Sequence, residues 1–168
     1  DIALDTFPYN GTTTPCEGSG LGWILFRGNG YGVNIVNDAV VGTAKSQLLG
    51  WLDFGGLSGF PITNSTYCGS TGNCNAHFEG DELYGWARLR ANSGNNSDWD
   101  GWIALRGPNF GVEKVFTANG EFALEGYAWG SSGRGPGWIQ FPVNALPPEP
   151  PENPNPDPKN PQPPVCNG

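Results

Sequence analysis

The most specific polar cluster in the sequence is Asn96-Ser97-Asp98-Trp99-Asp100-Gly101. It matches the first half of a calcium loop, in which alternate oxygen ligands on a tight turn surround one hard cation. Asn96, Asp98 and Asp100 are therefore candidate calcium ligands. The acid expected at the twelfth position of such a loop is absent, because Gly107 stands there. The alternative, which the missing acid favours, is a hairpin turn without a metal.

Few other side chains have the types and spacing of a catalytic site. Glu79, Asp81 and Glu82 resemble the paired carboxylates of glycoside hydrolysis, but three acids around one glycine are typical of a solvated loop. His77 is the only histidine; with Ser or Cys74 it could form a nucleophilic pair, but one histidine beside a predicted disulfide is typical of a structural role. We predict no catalytic residue, and we expect that the protein is not an enzyme.

The four cysteines indicate an oxidising compartment and allow three pairings. Cys68 and Cys74 enclose a short loop of small residues, which favours a disulfide between them. Cys16 and Cys166 then remain for a second bond, either within one chain or between two chains. A single histidine beside these cysteines gives no zinc-binding pattern. We therefore predict two disulfides and no cofactor other than the candidate calcium ion.

The ends and the sequons of the chain fit an exported protein. The sequence contains no Met and begins at Asp1, so we expect that an export signal has been removed and that the protein is extracellular or attached to the cell surface. Asn10, Asn64 and Asn95 each begin an Asn-x-Ser/Thr sequon, which would carry a glycan only in a host with that machinery.

Composition excludes several classes of partner. The 168 residues carry a net charge of −8, which argues against nucleic acid because phosphates are neutralised by clustered Lys and Arg. No apolar run approaches the roughly 20 residues of a membrane helix. Seven Trp, nine Phe and five Tyr supply much of the apolar content. We expect one domain with a core rich in aromatic side chains.

An internal repeat organises the chain. Residues 22–33 read G-W-I-L-F-R-G-N-G-Y-G-V and residues 101–112 read G-W-I-A-L-R-G-P-N-F-G-V, so seven of twelve positions are identical. Related Gly-aromatic pieces recur within the segments 22–55 and 83–141. Trp23, Trp102 and Trp138 occupy equivalent places, which predicts a stacked row in the core. The alternative is an exposed aromatic platform for polysaccharide. Arg27 and Arg106 are also equivalent, and we expect cation–π contacts or ion pairs there.

Each repeat has the composition of a short strand. β-branched and aromatic residues alternate in orientation along such a strand, and Gly, Asn, Asp and Ser clusters between the pieces are typical of turns. Asn119-Gly120 predicts a hairpin, and residues 38–49 favour strand over helix. About ten short strands predict an all-β fold, either a two-sheet sandwich or a compact barrel, built from these Gly-Trp repeats.

The C-terminal segment differs from the rest. Eleven of sixteen Pro lie in residues 142–168, a composition that favours extended polyproline II. We therefore divide the chain into a β-rich domain at 1–146 and a Pro-rich tail at 147–168 that contains Cys166 near its end. Twenty residues of this tail would span roughly 60 Å at about 3.1 Å each, enough to reach a neighbouring molecule.

The repeat pattern resembles that of secreted proteins of uncultivated, small-genome bacteria. The motif is Gly126-Tyr127-Ala128-Trp129 followed by Gly137-Trp138-Ile139-Gln140-Phe141, with related pieces at 85–88, 99–103 and 110–112. The resemblance covers residues 60–141 well and 20–55 more loosely. It implies an exported, β-rich protein of the cell surface, with a role in pili or other appendages, and implies no activity.

These features together predict a structural subunit of an extracellular filament, sheath or coat. Its partner would be a further copy of itself, joined through β edges and the Pro-rich tail. The alternative is a carbohydrate-binding or adhesion module that uses Trp platforms on polysaccharide. Both hypotheses exclude a membrane span and a nucleic-acid partner.

Overall fold

The computed structural model describes residues 2–3, 9–10, 22–46, 50–90, 100–116, 122–130 and 136–141. Within these ranges the chain contains fifteen strands and one helix of four residues, and every pairing between strands is antiparallel. The predicted all-β class is confirmed. The predicted number of about ten strands was low, because single residues such as Phe26 and Gly85 interrupt longer segments. The predicted tail at 147–168 lies outside the described residues.

The elements follow one another in a short sequence of strands. They are β1 (Ile2–Ala3), β2 (Tyr9–Asn10), β3 (Gly22–Leu25), β4 (Arg27–Gly28), β5 (Tyr31–Val36), β6 (Ala39–Ser46), β7 (Gly50–Phe54), α1 (Ser65–Cys68), β8 (His77–Glu79), β9 (Glu82–Tyr84), β10 (Trp86–Leu89), β11 (Trp102–Ala104), β12 (Arg106–Gly107), β13 (Phe110–Phe116), β14 (Phe122–Trp129) and β15 (Trp138–Phe141).

Three units of the same design account for most of these strands. Each unit has a leading strand, a two-stranded hairpin and a closing strand. The leading strands are β3, β7 and β11. The hairpins are β5 with the first half of β6, β8 with β9, and β13 with the first half of β14; the closing strands are the second half of β6, β10 and the second half of β14. Unit 1 runs from β3 to β6, unit 2 from β7 to β10 and unit 3 from β11 to β14. In units 1 and 3 the second hairpin strand and the closing strand are the two halves of one long strand, β6 or β14. Unit 2 carries an insertion at residues 55–75, which includes α1.

A glycine marks the point where the hairpin becomes the closing strand in every unit. Gly42, Gly85 and Gly126 have φ values of +113°, +95° and +112°. An added Cβ at each of them would clash with a backbone carbonyl oxygen, that of Gly32, Asn75 and Gly111 respectively. Only glycine tolerates this combination of positive φ and close backbone approach.

The leading and closing strands form one closed ring. Its order is β3, β6, β7, β10, β11, β14, β15 and β2, which pairs back with β3. Because the ring closes on itself, it has the connectivity of the compact barrel that the sequence predicted as one of two alternatives. Among the described residues, no helix is long and apolar enough to cross a bilayer.

The hairpins form a second layer of paired strands. The order is β1, β5, the first half of β6, β8, β9, β13 and the first half of β14. The predicted hairpin around Asn119-Gly120 is confirmed in its strands, since Phe116 pairs with Phe122, although the turn itself lies outside the described residues. The preference for strand at residues 38–49 is also correct for β6.

The main core lies inside these strands and is mostly aliphatic. Equivalent positions of the units supply it: the leading strands contribute Leu52, Ile103 and Ile139, and the closing strands contribute Ala44, Ala87 and Ala128. Its aromatic side chains are all Phe, namely Phe26, Phe54, Phe78 and Phe141. The expectation of a core position was wrong for Trp138, which is 52 % exposed, whereas Trp102 is only 4 % exposed and lies in a second core cluster with Trp86. Side chains alternate along a strand, and the inward neighbour of each Trp is an Ile, so these two Trp residues point outward.

Candidate functional site

The outward side chains of adjacent closing and leading strands form three equivalent surface patches. Patch 1 lies on β6 and β7, patch 2 on β10 and β11, and patch 3 on β14 and β15. The strands pair in the same register in each case, with Ala44 opposite Leu52, Ala87 opposite Ile103 and Ala128 opposite Ile139. Differences among the patches therefore come from side chains and insertions.

Patch 3 is an open cluster of four aromatic residues. Trp138 lies at its centre, with ring centroids 4.6 Å from Trp129, 5.3 Å from Phe110 and 6.2 Å from Tyr127. Trp138 is 52 % exposed and Tyr127 is 47 % exposed. Gln140, which is also exposed, lies directly across from Tyr127. The patch thus combines accessible aromatic faces with a phenol hydroxyl and an amide.

Patch 2 has the same strand framework but is covered by the insertion of unit 2. Tyr67 stacks on Trp86 at 5.3 Å, and Phe60 lies 5.3 Å from Trp102. The Trp86 indole Nε1 donates to the carbonyl oxygen of Ile62 at 3.1 Å. Trp86 and Trp102 are consequently only 6 % and 4 % exposed. Trp102, on the leading strand β11 of unit 3, is therefore buried beneath the insertion of unit 2 and lies outside the main core.

Patch 1 carries charge instead of a broad aromatic surface. Tyr31 contacts Trp51 edge to face at 5.0 Å, and the Lys45 ammonium lies 5.5 Å from the Trp51 ring. Two residues beyond Trp51 on β7, Asp53 Oδ2 accepts a hydrogen bond from Arg90 Nε at 3.0 Å. This ion pair, through its hydrogen bond and the nearby negative charge, raises the pKa of Arg90.

The predicted row of three equivalent Trp residues is only partly described. Trp102 and Trp138 do occupy equivalent strand positions, but one lies under the insertion and the other in the open patch. The side chain of Trp23 lies outside the described residues. Phe110, Tyr127 and Trp129 were not predicted as site residues, although period-2 alternation along Tyr127-Ala128-Trp129 places both rings on the face of Trp138.

The predicted disulfide between Cys68 and Cys74 is present. The disulfide links Cys68, the last residue of α1, to Cys74, which lies three residues before β8. It packs against Trp86 and Trp102. Because Cys74 is oxidised, the nucleophilic pair with His77 has no thiol. Cys16 and Cys166 lie outside the described residues.

His77 and Glu79 hold the loop that contains the disulfide. His77 is 6 % exposed; its Nδ1 lies 2.8 Å from the carbonyl oxygen of Asn75 and its Nε2 lies 3.2 Å from Glu79 Oε1. Glu79 accepts hydrogen bonds from the backbone N–H and hydroxyl of Ser70 and from the N–H of Thr71. These bonds, the Ser70 N–H first, lower the pKa of Glu79 to about 2.

Glu79 and Glu82, two of the three acids around Gly80, do not converge on one point. Glu79 faces Ser70, whereas Glu82 Oε1 lies 3.0 Å from Arg106 Nη1 and accepts a hydrogen bond from the Tyr84 hydroxyl, which raises the pKa of Tyr84. Arg106 also lies over the Tyr84 ring at 4.9 Å. The expected cation–π contact and ion pair of Arg106 are therefore both present.

The candidate calcium ligands are mostly not described. Asn96 and Asp98 lie outside the described residues. Asp100 is exposed, and its carbonyl oxygen accepts a hydrogen bond from Arg88 Nε at 3.1 Å. No group of three or more His, Cys, Asp or Glu side chains with metal-site geometry occurs in the described ranges. Calcium binding stays a prediction.

Of the three sequons, one has a described side chain. Asn64 is the N-cap of α1, where its side-chain oxygen accepts from the Thr66 N–H at 3.1 Å, and it is exposed. Asn10 is described only as part of β2, and Asn95 lies outside the described residues.

Comparison of this chain with protein-family models, with curated proteins and with solved structures found no match.

Proposed function

We propose that this protein is a binding module that holds carbohydrate on the open aromatic patch of β14 and β15. The observation that carries the proposal is the exposure of Trp138 at the centre of three further rings. A large aromatic side chain left half exposed is costly in apolar area, and flat aromatic faces pack against the C–H faces of sugar rings. Gln140 and the Tyr127 hydroxyl supply hydrogen bonds for sugar hydroxyls beside that surface.

The three patches support this assignment by comparison. They share strand register, but patch 2 is sealed by the insertion, and patch 1 carries Lys45 and the Arg90–Asp53 pair. Within the paired residues 126–129 of β14 and 138–141 of β15, patch 3 presents exposed aromatic faces and no charged side chain, and Glu125 lies beyond Gly126 on the hairpin half of β14. A neutral aromatic surface with adjacent amide and hydroxyl groups favours a neutral polysaccharide.

The test is binding to insoluble and soluble neutral polysaccharides by Trp138→Ala, with Trp51→Ala as the matched control. Trp51 occupies the same strand position in patch 1. We expect Trp138→Ala to weaken binding tenfold or more, about 1.4 kcal/mol, with little change in thermal unfolding because the ring is half exposed. Equal binding by Trp138→Ala and the unchanged protein would contradict the proposal, as would the absence of binding to any polysaccharide.

A self-associating subunit of a filament, sheath or coat is the second candidate. It is favoured by the first half of β14, which pairs with β13 on one edge and has no strand partner on its other edge among the described residues. Unpaired edges recruit strands from other chains. The Cys68–Cys74 disulfide supports an extracellular or cell-surface location for either function.

A further inference from the structure

In every patch one aromatic ring, here called the covering ring, lies against the Trp of the leading strand. The pairs of covering ring and Trp are Tyr31 with Trp51, Phe60 with Trp102 and Phe110 with Trp138, at centroid distances of 5.0, 5.3 and 5.3 Å. Each covering ring comes from the unit that precedes its Trp, from the stretch that follows the leading strand and ends at the first residue of the hairpin. This contact is common to the three patches and does not distinguish patch 3.

Patch 2 carries a second ring in addition to its covering ring. Tyr67 lies parallel to Trp86, with 9° between the ring planes and 5.3 Å between the centroids. Trp86 is only 6 % exposed. Tyr67 belongs to α1, which the insertion of unit 2 brings over the strand pair. The parallel stack is therefore one of the contacts by which the insertion seals patch 2.

Tyr127 is the equivalent of Trp86 in patch 3. Both residues precede the closing-strand alanine that lies opposite the Ile of the adjacent leading strand. The ring geometry agrees with this equivalence: Trp86 and Trp102 lie 6.2 Å apart at an angle of 79°. Tyr127 and Trp138 lie 6.2 Å apart at an angle of 80°. Patch 3 thus reproduces the pair of perpendicular rings that patch 2 covers.

The parallel ring of patch 2 has no counterpart on Tyr127. Among the described residues no ring stacks face to face on Tyr127, whose ring contact with Trp138 is nearly perpendicular. Tyr127 is accordingly 47 % exposed, against 6 % for Trp86. The face of Tyr127 is therefore available to a ring that a ligand supplies, in the place that Tyr67 takes in patch 2.

Two differences between the patches favour a sugar ring over an aromatic ring at this position. Tyr127 has a hydroxyl where Trp86 has an indole, and Gln140 stands where patch 2 has Ala104. Gln140 is exposed and lies directly across from Tyr127, and its amide both donates and accepts hydrogen bonds. A pyranose has C–H groups on its face and hydroxyls at its edge. It therefore matches an aromatic face with polar groups beside it.

We propose that patch 3 binds one sugar ring, which stacks on Tyr127 as Tyr67 stacks on Trp86 and whose hydroxyls hydrogen-bond to Gln140. The inference rests on the carbohydrate function proposed above and names the position that the sugar takes. Trp138 stands nearly perpendicular to Tyr127 and forms a side wall. Because these two exposed rings are not coplanar, they cannot both lie on the flat face of a crystalline polysaccharide. The ligand is a single neutral sugar ring of a soluble chain.

The length of the sugar chain is the decisive variable in the test. NMR titration of the full chain compares methyl glycosides with oligosaccharides of two to six units, built from glucose, mannose or N-acetylglucosamine. Because one ring fills the position, the affinity per sugar unit should change by less than about threefold along the series of the best sugar. Crystalline cellulose and chitin should retain none of the protein at concentrations where the soluble sugar saturates it.

Variants at Tyr127 identify the position. Tyr127→Ala should weaken binding of the methyl glycoside by about tenfold or more, whereas Tyr127→Phe should keep most of the affinity because the stacking face is retained. Gln140→Ala is a second variant that removes no ring, and it should also weaken binding. Thr43→Ala, at the same strand position in patch 1, is the matched control and should bind like the unchanged protein.

The outcomes separate this inference from the proposed function. Binding whose affinity per sugar unit rises more than about threefold with chain length, or that persists in Tyr127→Ala, overturns the single-ring position and leaves the carbohydrate function standing. If no sugar of any length binds, both are overturned. If a synthetic peptide of residues 57–67, which contains Phe60 and Tyr67, binds and sugars do not, the ligand is an aromatic peptide segment and both are again overturned.

Discussion

At the scale of single residues, the clearest requirement is the glycine at each junction between hairpin and closing strand. Gly42, Gly85 and Gly126 each combine a positive φ with backbone contact. The sequence displays these glycines before an aromatic or small residue, but it also contains 27 glycines in all. Pattern alone therefore identified a repeat of Gly-aromatic pieces without showing which glycine bends a strand.

Glu79 gives the sharpest prediction at this scale. Its pKa is lowered to about 2 by hydrogen bonds from Ser70 and Thr71. A carboxyl whose pKa is lower in the folded than in the unfolded protein stabilises the fold above its unfolded pKa, and that contribution is lost as pH falls from about 5 to about 2. We expect Glu79→Gln to lower the melting temperature at pH 7 and to remove part of the acid-dependent decrease.

The measurement for Glu79 is the melting temperature from pH 7 to pH 2, with Glu125→Gln as the matched control. Glu125 lies exposed on β14. Parallel curves for Glu79→Gln and the unchanged protein would show that the hydrogen bonds of Glu79 do not stabilise the loop at residues 70–71.

At the scale of elements, the alternation of apolar residues predicted where the strands lie better than it predicted how the strands pair and which side chains they bury. The Gly-Trp-Ile pattern correctly identified β3, β11 and β15 as equivalent. Unit 2 was missed as a complete unit because residues 55–75 separate β7 from its hairpin, so the spacing of the repeat is lost there. The direction of each Trp also depended on register: Ile103 and Ile139 fill the main core, which leaves Trp102 in the smaller cluster beneath the insertion of unit 2 and Trp138 half exposed. A pattern of two alternating apolar residues does not show which one is buried.

The insertion of unit 2 stabilises the fold as a cover for patch 2. We expect the double variant Cys68→Ala/Cys74→Ala to lose about 2 kcal/mol of unfolding free energy, the loop-closure value for so short a loop. Because the disulfide packs against Trp86 and Trp102, iodide should quench tryptophan fluorescence more strongly in the variant. Unchanged quenching, with an unchanged midpoint in guanidinium chloride, would show that the cover holds without its disulfide.

At the scale of the whole molecule, the two N-terminal strands complete what the three units begin. β2 joins β15 to β3 and so closes the ring, and β1 covers the edge of β5. The chain thus joins residues from both ends of the domain, a long-range contact that sequence repeats did not reveal because β1 and β2 are short and lack the Gly-Trp pattern.

Deletion of residues 1–10 tests this closure. It would expose the edges of β3, β15 and β5, and the lost backbone pairing together with opened core should cost on the order of 4 kcal/mol or more, enough to abolish cooperative unfolding in a domain of ordinary stability. Deletion of residues 147–168 is the control and should leave the unfolding transition in place. Since aggregation through open edges would also accompany the first deletion, a synthetic peptide of residues 1–10 is added in trans. Recovery of the cooperative transition with that peptide indicates strand closure, whereas a deletion variant that melts like the full chain would mean that the ring is stable without β2.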